Sequence, residues 1–320
     1  PWARVPSVAC RESWSMAELR GQIKANEPMA GHVSWRAGGP AARAFFPADL
    51  DDLAAFLAGL RHDEPLLLVG LGSNLLVRDG GYLGTVILTT PMLHGLALDA
   101  HDTNVVVAGA GVASPHVANF AAKNSLAGAE WLAGVPGTIG GALAMNAGCY
   151  STETWQQVVD CTTIDRQGAL HTRTAADFDI GYRHVEPLPR HAAPLTRLDE
   201  EWFVGARFRF PSGDAAQAQA RIKELLAKRM ASQPLDKPNA GSTFRNPPGD
   251  FAARLIESCG LKGHTIGGAQ VSTKHANFII NTGSATAADI ENMIAHMQAT
   301  VRAQTGIELV REVKIVGEAV

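Results

Sequence analysis

The sequence predicts a mixed fold of α/β or α+β class in three successive units, from three observations. Short apolar runs surround one helix-spaced segment in residues 1–90, strand-like runs dominate 91–213, and 214–320 hold the longest helical repeats with their caps. Glycine occupies 32 of 320 positions, above the usual share of about 7%, which suits a loop-rich α/β or α+β enzyme rather than a helical bundle. A chain this long has room for two or three sizeable cores.

Residues 1–20, with Trp2 and Trp14, show no usable period and read as a loosely ordered lead-in. The turn cluster Ser34-Trp35-Arg36-Ala37-Gly38-Gly39-Pro40 precedes a strand at Ala44-Phe45-Phe46. Asp49 predicts an N-cap for a helix with Leu50, Leu53, Phe56, Leu57 and Leu60 at helical spacing. Leu66-Leu67-Leu68-Val69 is a continuous apolar run that predicts a buried strand, and it ends in Gly70-Leu71-Gly72-Ser73-Asn74-Leu75-Leu76. Another strand follows at Thr85-Val86-Ile87-Leu88.

The second unit opens with a strand at Val105-Val106-Val107-Ala108. Ser114 and Pro115 predict the N-cap and first turn of a helix carrying Val117, Phe120 and Leu126, with Gly128 just past its end. Residues 158–164 and 169–172 predict a hairpin, and 178–183 and 202–210 further strands, interrupted by the Pro-rich loop from Pro187 to Pro194.

In the third unit Asp214 caps a long helix through Ile222, Leu225, Leu226 and Met230, whose other side carries Arg221, Lys223, Lys228 and Arg229. A short helix over 252–258 stops at Gly260, and 271–281 contain a strand. Thr286 and Asp289 form a capping box for a helix with Ile290, Met293, Ile294, Met297 and Val301, closed by Gly306. The last segment, 307–316, alternates as a strand.

Between these elements, residues 134–150 hold Gly134, Gly137, Gly140, Gly141 and Gly148. Glycine costs about 0.5–1 kcal/mol against alanine inside a regular element. The run therefore predicts bare backbone outside helix and strand, able to close its amides on an anion or a flat ring. It is not a P-loop, since no Lys-Ser/Thr follows Gly141, and neither Gly70-Leu71-Gly72 nor Gly109-Ala110-Gly111 completes a dinucleotide fingerprint.

Charged residues make up 18% with a net charge of −3, so no basic excess is available for a nucleic-acid backbone or an anionic membrane. No apolar stretch has the length of a membrane span, and the chain reads as cytoplasmic. Cys10, Cys149, Cys161 and Cys259 are scattered without CxxC, and no His spacing supplies a metal site.

Taken together, Gly70 to Leu76, residues 134–150 and Asn239-Ala240-Gly241-Ser242-Thr243-Phe244-Arg245-Asn246-Pro247 resemble the UDP-N-acetylenolpyruvoylglucosamine reductases. Lys274-His275-Ala276-Asn277-Phe278-Ile279-Ile280-Asn281 and Glu312-Val313-Lys314-Ile315-Val316-Gly317 extend the resemblance, which runs from about residue 26 to 317. It implies an FAD-binding fold of the vanillyl-alcohol-oxidase (PCMH) type, with two α+β subdomains at 1–90 and 91–213. A C-terminal α+β substrate-binding domain at 214–320 would follow, its last residues returning to the first subdomain. FAD, held non-covalently, would contact Gly70, Gly72, Ser73, Asn74, Leu75, Gly134, Pro136, Gly137, Thr138, Gly140, Gly141, Asn146 and Gly148.

The implied reaction is NADPH-dependent reduction of an enolpyruvyl UDP-sugar, a small-molecule substrate, with Ser242 as proton donor, Arg183 as carboxylate and enolate stabiliser and Glu312 as third catalytic residue. Asn246 and Lys314 match positions that contact substrate, and Lys274 and His275 are candidates for the pocket wall. Taken singly, an Arg after Tyr, a Ser after Gly and a Glu near Lys are ordinary surface or turn residues, so these roles rest on the resemblance. Many relatives carry Ser two residues after the Arg, where this chain has Val185, and the short link into Asn239 resembles the family's shorter branch, so no Tyr receives a clamping role. Alternatives are another flavin oxidoreductase of this fold and a flavin-free binding module. Covalent flavin would need a His or Cys that residues 70–76 lack, leaving Cys149 as the nearest thiol.

Overall fold

The computed structural model describes residues 19–90, 92–188 and 200–320. The lead-in with Trp2, Cys10 and Trp14, and residues 189–194 of the Pro-rich loop, lie outside these.

The first unit is β1 (Gln22–Pro28), β2 (Pro40–Phe46), α1 (Leu50–Ala58), β3 (Leu66–Val69), β4 (Leu75–Val77) and β5 (Tyr82–Leu88). Four of the strands form a sheet in the order β1-β2-β5-β3, with β5 parallel to both β2 and β3. α1 starts where predicted: the Asp49 carboxylate accepts from Asp52 N–H at 2.9 Å, and Leu53, Phe56 and Leu57 are buried. β3 is an edge strand, so only Val69 of its four residues is fully buried. β1 is polar and largely exposed, and β4 sits inside the expected glycine loop; neither has a pattern that announces it.

The second unit comprises β6 (Leu96–Leu98), β7 (Val105–Gly109), α2 (Ser114–Lys123), α3 (Ile139–Met145), β8 (Gly148–Cys149), β9 (Thr152–Glu153), β10 (Val158–Asp165), β11 (Leu170–Arg173), β12 (Phe178–Gly181), β13 (His184–Pro187) and β14 (Glu201–Arg209). Its antiparallel sheet runs β11-β10-β14-β7-β6. Three expectations change here. Ala113 rather than Ser114 caps α2, and the helix ends at Lys123 because Ser125 turns left-handed at φ 57, so Leu126 and Gly128 lie beyond it. The strand from Phe178 stops at Gly181, leaving Tyr182 and Arg183 as a hairpin turn.

The third change concerns the glycine stretch, which does contain a helix. In α3 Ile139, Ala142 and Leu143 are buried at helical spacing. Gly140 lets the helix lie on Ala110, since a Cβ there would stand 2.9 Å from the Ala110 Cβ. The first two amides of α3 donate to Val112 O and Ala110 O, both at 2.9 Å. Asn146, left-handed at φ 41, ends it.

The remaining elements are α4 (Ala215–Ser232), α5 (Ala252–Ser258), β15 (Thr265–Ile266), β16 (Ala269–Val271), β17 (Ile279–Asn281), α6 (Ala287–Thr305) and β18 (Lys314–Val316). α4, expected to open the third unit, buries Ala218 and Ile222 in the core of the second unit instead. Met230 is exposed, while Arg229 turns inward with Nε on Gln233 Oε1 at 2.8 Å. The predicted capping box and closing glycine of α6 are both present. The final segment is strand only at β18, which pairs in parallel with β4.

The third core includes Trp35, Ala37 and Leu76 from the first unit. Trp35 Nε1 donates to Ile279 O and Asn281 Nδ2 donates to Trp35 O, each at 2.8 Å. Arg78 makes a two-pronged contact with Glu291 at 2.8 Å, and the Asp79 carboxylate accepts from the first amides of α6. First and third units are thus joined by packing, charge and a shared strand pair.

Candidate active site

Residues 70–74, at the end of β3, and 135–141, leading into α3, meet at one pocket of about 1040 Å³, open mouth included. Their contact leaves no room for side chains: a Cβ on Gly70 would stand 2.3 Å from Thr138 Oγ1, and one on Gly137 2.5 Å from Ser73 Oγ. Gly72, at φ 59, would press a Cβ to 2.2 Å from His32 O. The 70–74 loop is pinned from behind, where Ser34 N–H donates to Gly72 O at 3.1 Å.

Within the described residues none of the amide N–H groups of 70–74, 137, 138 and 141 donates to a protein acceptor. Such a set of free donors, with the Ser73 and Thr138 hydroxyls beside it, fits an anionic pyrophosphate. At Gly141 an added Cβ would meet nothing nearer than 4.0 Å, so the backbone there is bare on an open side. The residues present therefore suit FAD, whose pyrophosphate needs N–H donors and whose ring system needs side-chain-free backbone.

Three distant segments bring functional side chains to the same pocket. Arg183 occupies the β12–β13 turn at φ 54, a conformation that costs a non-glycine residue about 1–3 kcal/mol. Its guanidinium repays this, with Nε donating to Glu312 Oε1 at 2.8 Å, Nη1 to Asn146 O at 3.3 Å and Nη2 to Gly148 O at 3.2 Å. Three of its five N–H donors are committed, leaving one on each terminal nitrogen. Val185 is buried in the second core, and backbone carbonyls support Arg183.

Glu312 is placed by its backbone: Asn74 Nδ2 donates to Glu312 O at 3.1 Å and Glu312 N–H donates to Thr243 O at 2.9 Å. Burial pushes its carboxyl above the ordinary glutamate value, and the Arg183 ion pair pulls the other way without prevailing. Its side chain is only 15% exposed, so desolvation dominates even beside a guanidinium. Ser242 follows the left-handed Gly241 in a loop fixed by Asn239 Oδ1, which accepts from Gly241 N–H at 2.9 Å, and by Asn277, bonded both ways to Phe244.

Gly70, Gly72, Ser73, Asn74, Leu75, Pro136, Gly137, Thr138, Gly141, Gly148, Arg183, Ser242, Glu312 and Lys314 all line the pocket. Four expected residues do not. Gly134 packs on Cys149 and Tyr150, and Gly140 on Ala110. Asn146 is buried, its amide held by Glu153 Oε2 and Gly181 O. Asn246 is exposed, with Oδ1 accepting from Ala252 N–H at 3.1 Å. Asn74 lines the pocket, but its side-chain amide is spent on Glu312 O. Lys274 and His275 are absent from the wall too: Lys274 donates to Met230 O, and His275 packs edge-on against Phe278. Sequence reasoning missed Leu67 and Leu68, which line the pocket from β3, and the bracing by Asn277, which stood inside a quoted motif without a role.

Among the described residues no group of three or more His, Cys, Asp or Glu side chains could hold a metal, and no helix is long and apolar enough to cross a membrane. Residues 41–173 match the model of an FAD binding domain, and 233–316 match that of the UDP-N-acetylenolpyruvoylglucosamine reductase C-terminal domain. Fold and pocket together define an FAD-binding oxidoreductase. UDP-N-acetylenolpyruvoylglucosamine reductases of Thiobacillus denitrificans and Nitrosospira multiformis are 57% and 54% identical, covering 94% and 95% of this chain and 94% and 91% of their own. The crystal structure of UDP-N-acetylenolpyruvylglucosamine reductase (MurB) from Thermus caldophilus superposes with a TM-score of 0.73 at 29% identity, over 93% of this chain and 99% of that one. The chain belongs to the UDP-N-acetylenolpyruvoylglucosamine reductase family.

Proposed function

We propose that the protein reduces UDP-N-acetylglucosamine enolpyruvate to UDP-N-acetylmuramate in peptidoglycan precursor synthesis, with NADPH as reductant and the cytoplasm as its place of work. The single observation that carries this is the meeting of Ser242, Arg183 and Glu312, from three separate segments, in the pocket walled by the two glycine loops. FAD held by residues 70–75, 136–138 and 141 would supply the hydride, having taken it from NADPH.

The enolpyruvyl ether gains hydride at its methylene carbon, so negative charge develops at the α-carbon and spreads into the carboxylate. Arg183 stabilises that charge with its two uncommitted N–H groups, in a fork that suits a carboxylate. Ser242 protonates the α-carbon: a hydroxyl is a weak acid, but an α-carbanion is a strong base. Glu312, kept protonated more readily by burial, shares its proton with the substrate carboxylate. Lys314 and the free Nδ2 of Asn246 serve the UDP-sugar. We place the boundary of the substrate-binding domain after α4 rather than before it, because α4 shares the second core.

Stopped-flow spectra of the two half-reactions test the proposal. NADPH should bleach the flavin, and the enolpyruvyl UDP-sugar should restore its colour. Reduced flavin that this substrate leaves reduced would remove the proposed activity.

A further inference from the structure

Glu312 also touches a polar group on a side to which no role has been given. In the antiparallel contact bridging Phe244 and Arg311, Glu312 N–H donates to Thr243 O and Arg245 N–H to Val310 O, each at 2.9 Å. Residues opposite one another, and residues two apart, share a face in such a contact. Thr243, Arg245 and Glu312 therefore lie on one side, and Phe244, in the apolar core, on the other. On the first side Thr243 Oγ1 and Arg245 Nε are both buried with no hydrogen-bond partner. Buried polar atoms are rarely left so, and a bound water is the usual partner where several converge.

We propose that Arg245 is a positioning residue for Glu312: with Thr243 Oγ1 it holds a buried water behind the carboxyl, and this polar floor orients the carboxyl and sets when it carries its proton. Glu312 enters in the role proposed above, on which the inference rests. The charged groups facing it are Arg183 from the β12–β13 turn and Arg245 from the segment before α5, with Lys314 two residues along its own chain. Arg183 is tied to the carboxyl directly, whereas Arg245 acts on it through space. Arg245 is therefore the cation whose removal leaves the ion pair intact.

The test uses FAD-loaded protein with ¹³C-labelled glutamate. The Glu312 carboxyl resonance, assigned by its loss in Glu312→Gln, is titrated in wild type, Arg245→Met and Arg245→Lys. The pH profile of flavin reoxidation by the enolpyruvyl substrate is recorded alongside. In Arg245→Met, or in Arg245→Gln should the first fold poorly, both the resonance titration and the alkaline limb should move to higher pH. Arg245→Lys should return both to the wild-type position, and flavin reduction by NADPH should be unchanged throughout. Thr243→Val, which removes only the hydroxyl, should slow reoxidation about tenfold. An unshifted Glu312 resonance in Arg245→Met, or wild-type reoxidation in Thr243→Val, overturns the inference. Wild-type reoxidation in Glu312→Gln instead overturns the role given to Glu312, while the resonance still reports whether Arg245 governs that carboxyl.

Discussion

Along one wall of the pocket, residues 70–74, 137, 138 and 141 present main-chain amides and few side-chain atoms, whereas Arg183, Ser242 and Glu312 present a guanidinium, a hydroxyl and a carboxyl. The first wall is made by two loops in which Gly70, Gly72 and Gly137 leave no space for a Cβ. The second is assembled from segments far apart in the chain and fixed by hydrogen bonds to backbone carbonyls and asparagines. The backbone wall is therefore intolerant of added atoms, and its failure should appear as lost cofactor. The side-chain wall tolerates substitution structurally, and its failure should appear as lost turnover with the cofactor in place.

Variants can break that contrast. Ser242→Ala should leave flavin content and reduction by NADPH near normal, and slow reoxidation by the enolpyruvyl substrate by about 10²–10⁴-fold; equal loss in both half-reactions under stopped flow would count against a proton donor. Arg183→Lys should slow the same half-reaction by about 10²–10³-fold, because an ammonium lacks the fork. An unimpaired rate removes Arg183 from the chemistry. Gly72→Ala belongs to the opposite class. With φ 59 and His32 O in the way of a Cβ, it should cost about 1–3 kcal/mol or more and strip flavin from the purified protein. Retained flavin absorbance at an unchanged melting temperature would end the distinction between the walls.

The smallest effect concerns pH. Burial raises the folded-state value of Glu312 above its ordinary 4.5, so its contribution to stability is complete below that ordinary value and is lost as pH rises through the folded one. Wild type should therefore lose stability relative to Glu312→Gln across that window, as followed by thermal unfolding at a series of pH values. A pH-independent difference would mean that this carboxyl does not titrate there.

Where the determinants are local, the sequence was readable. Thr286, Asp289 and Gly306 bound α6, and Asp49 starts α1, because caps act within one turn of chain. α3 was not readable, since Gly140 is dictated by the approach to Ala110 and looks like loop from sequence alone. The same holds for the site. Ser242, Arg183 and Glu312 were legible only as parts of a resemblance, and nothing local signalled that the Asn74 side-chain amide braces Glu312 from 238 residues away. Asn146 likewise serves the fold around Arg183. A side chain's choice between ligand and brace is made by tertiary neighbours that local spacing does not encode.

The parallel pairing of β18 with β4 has a consequence for biogenesis. While the polypeptide emerges from the ribosome, β4 waits as an open edge, and the loop before it lacks the brace that Lys314 N–H and Glu312 O provide. Loop closure over such a span is slow, so the loop that leads into β4 gains its brace only after the distant β18 has docked.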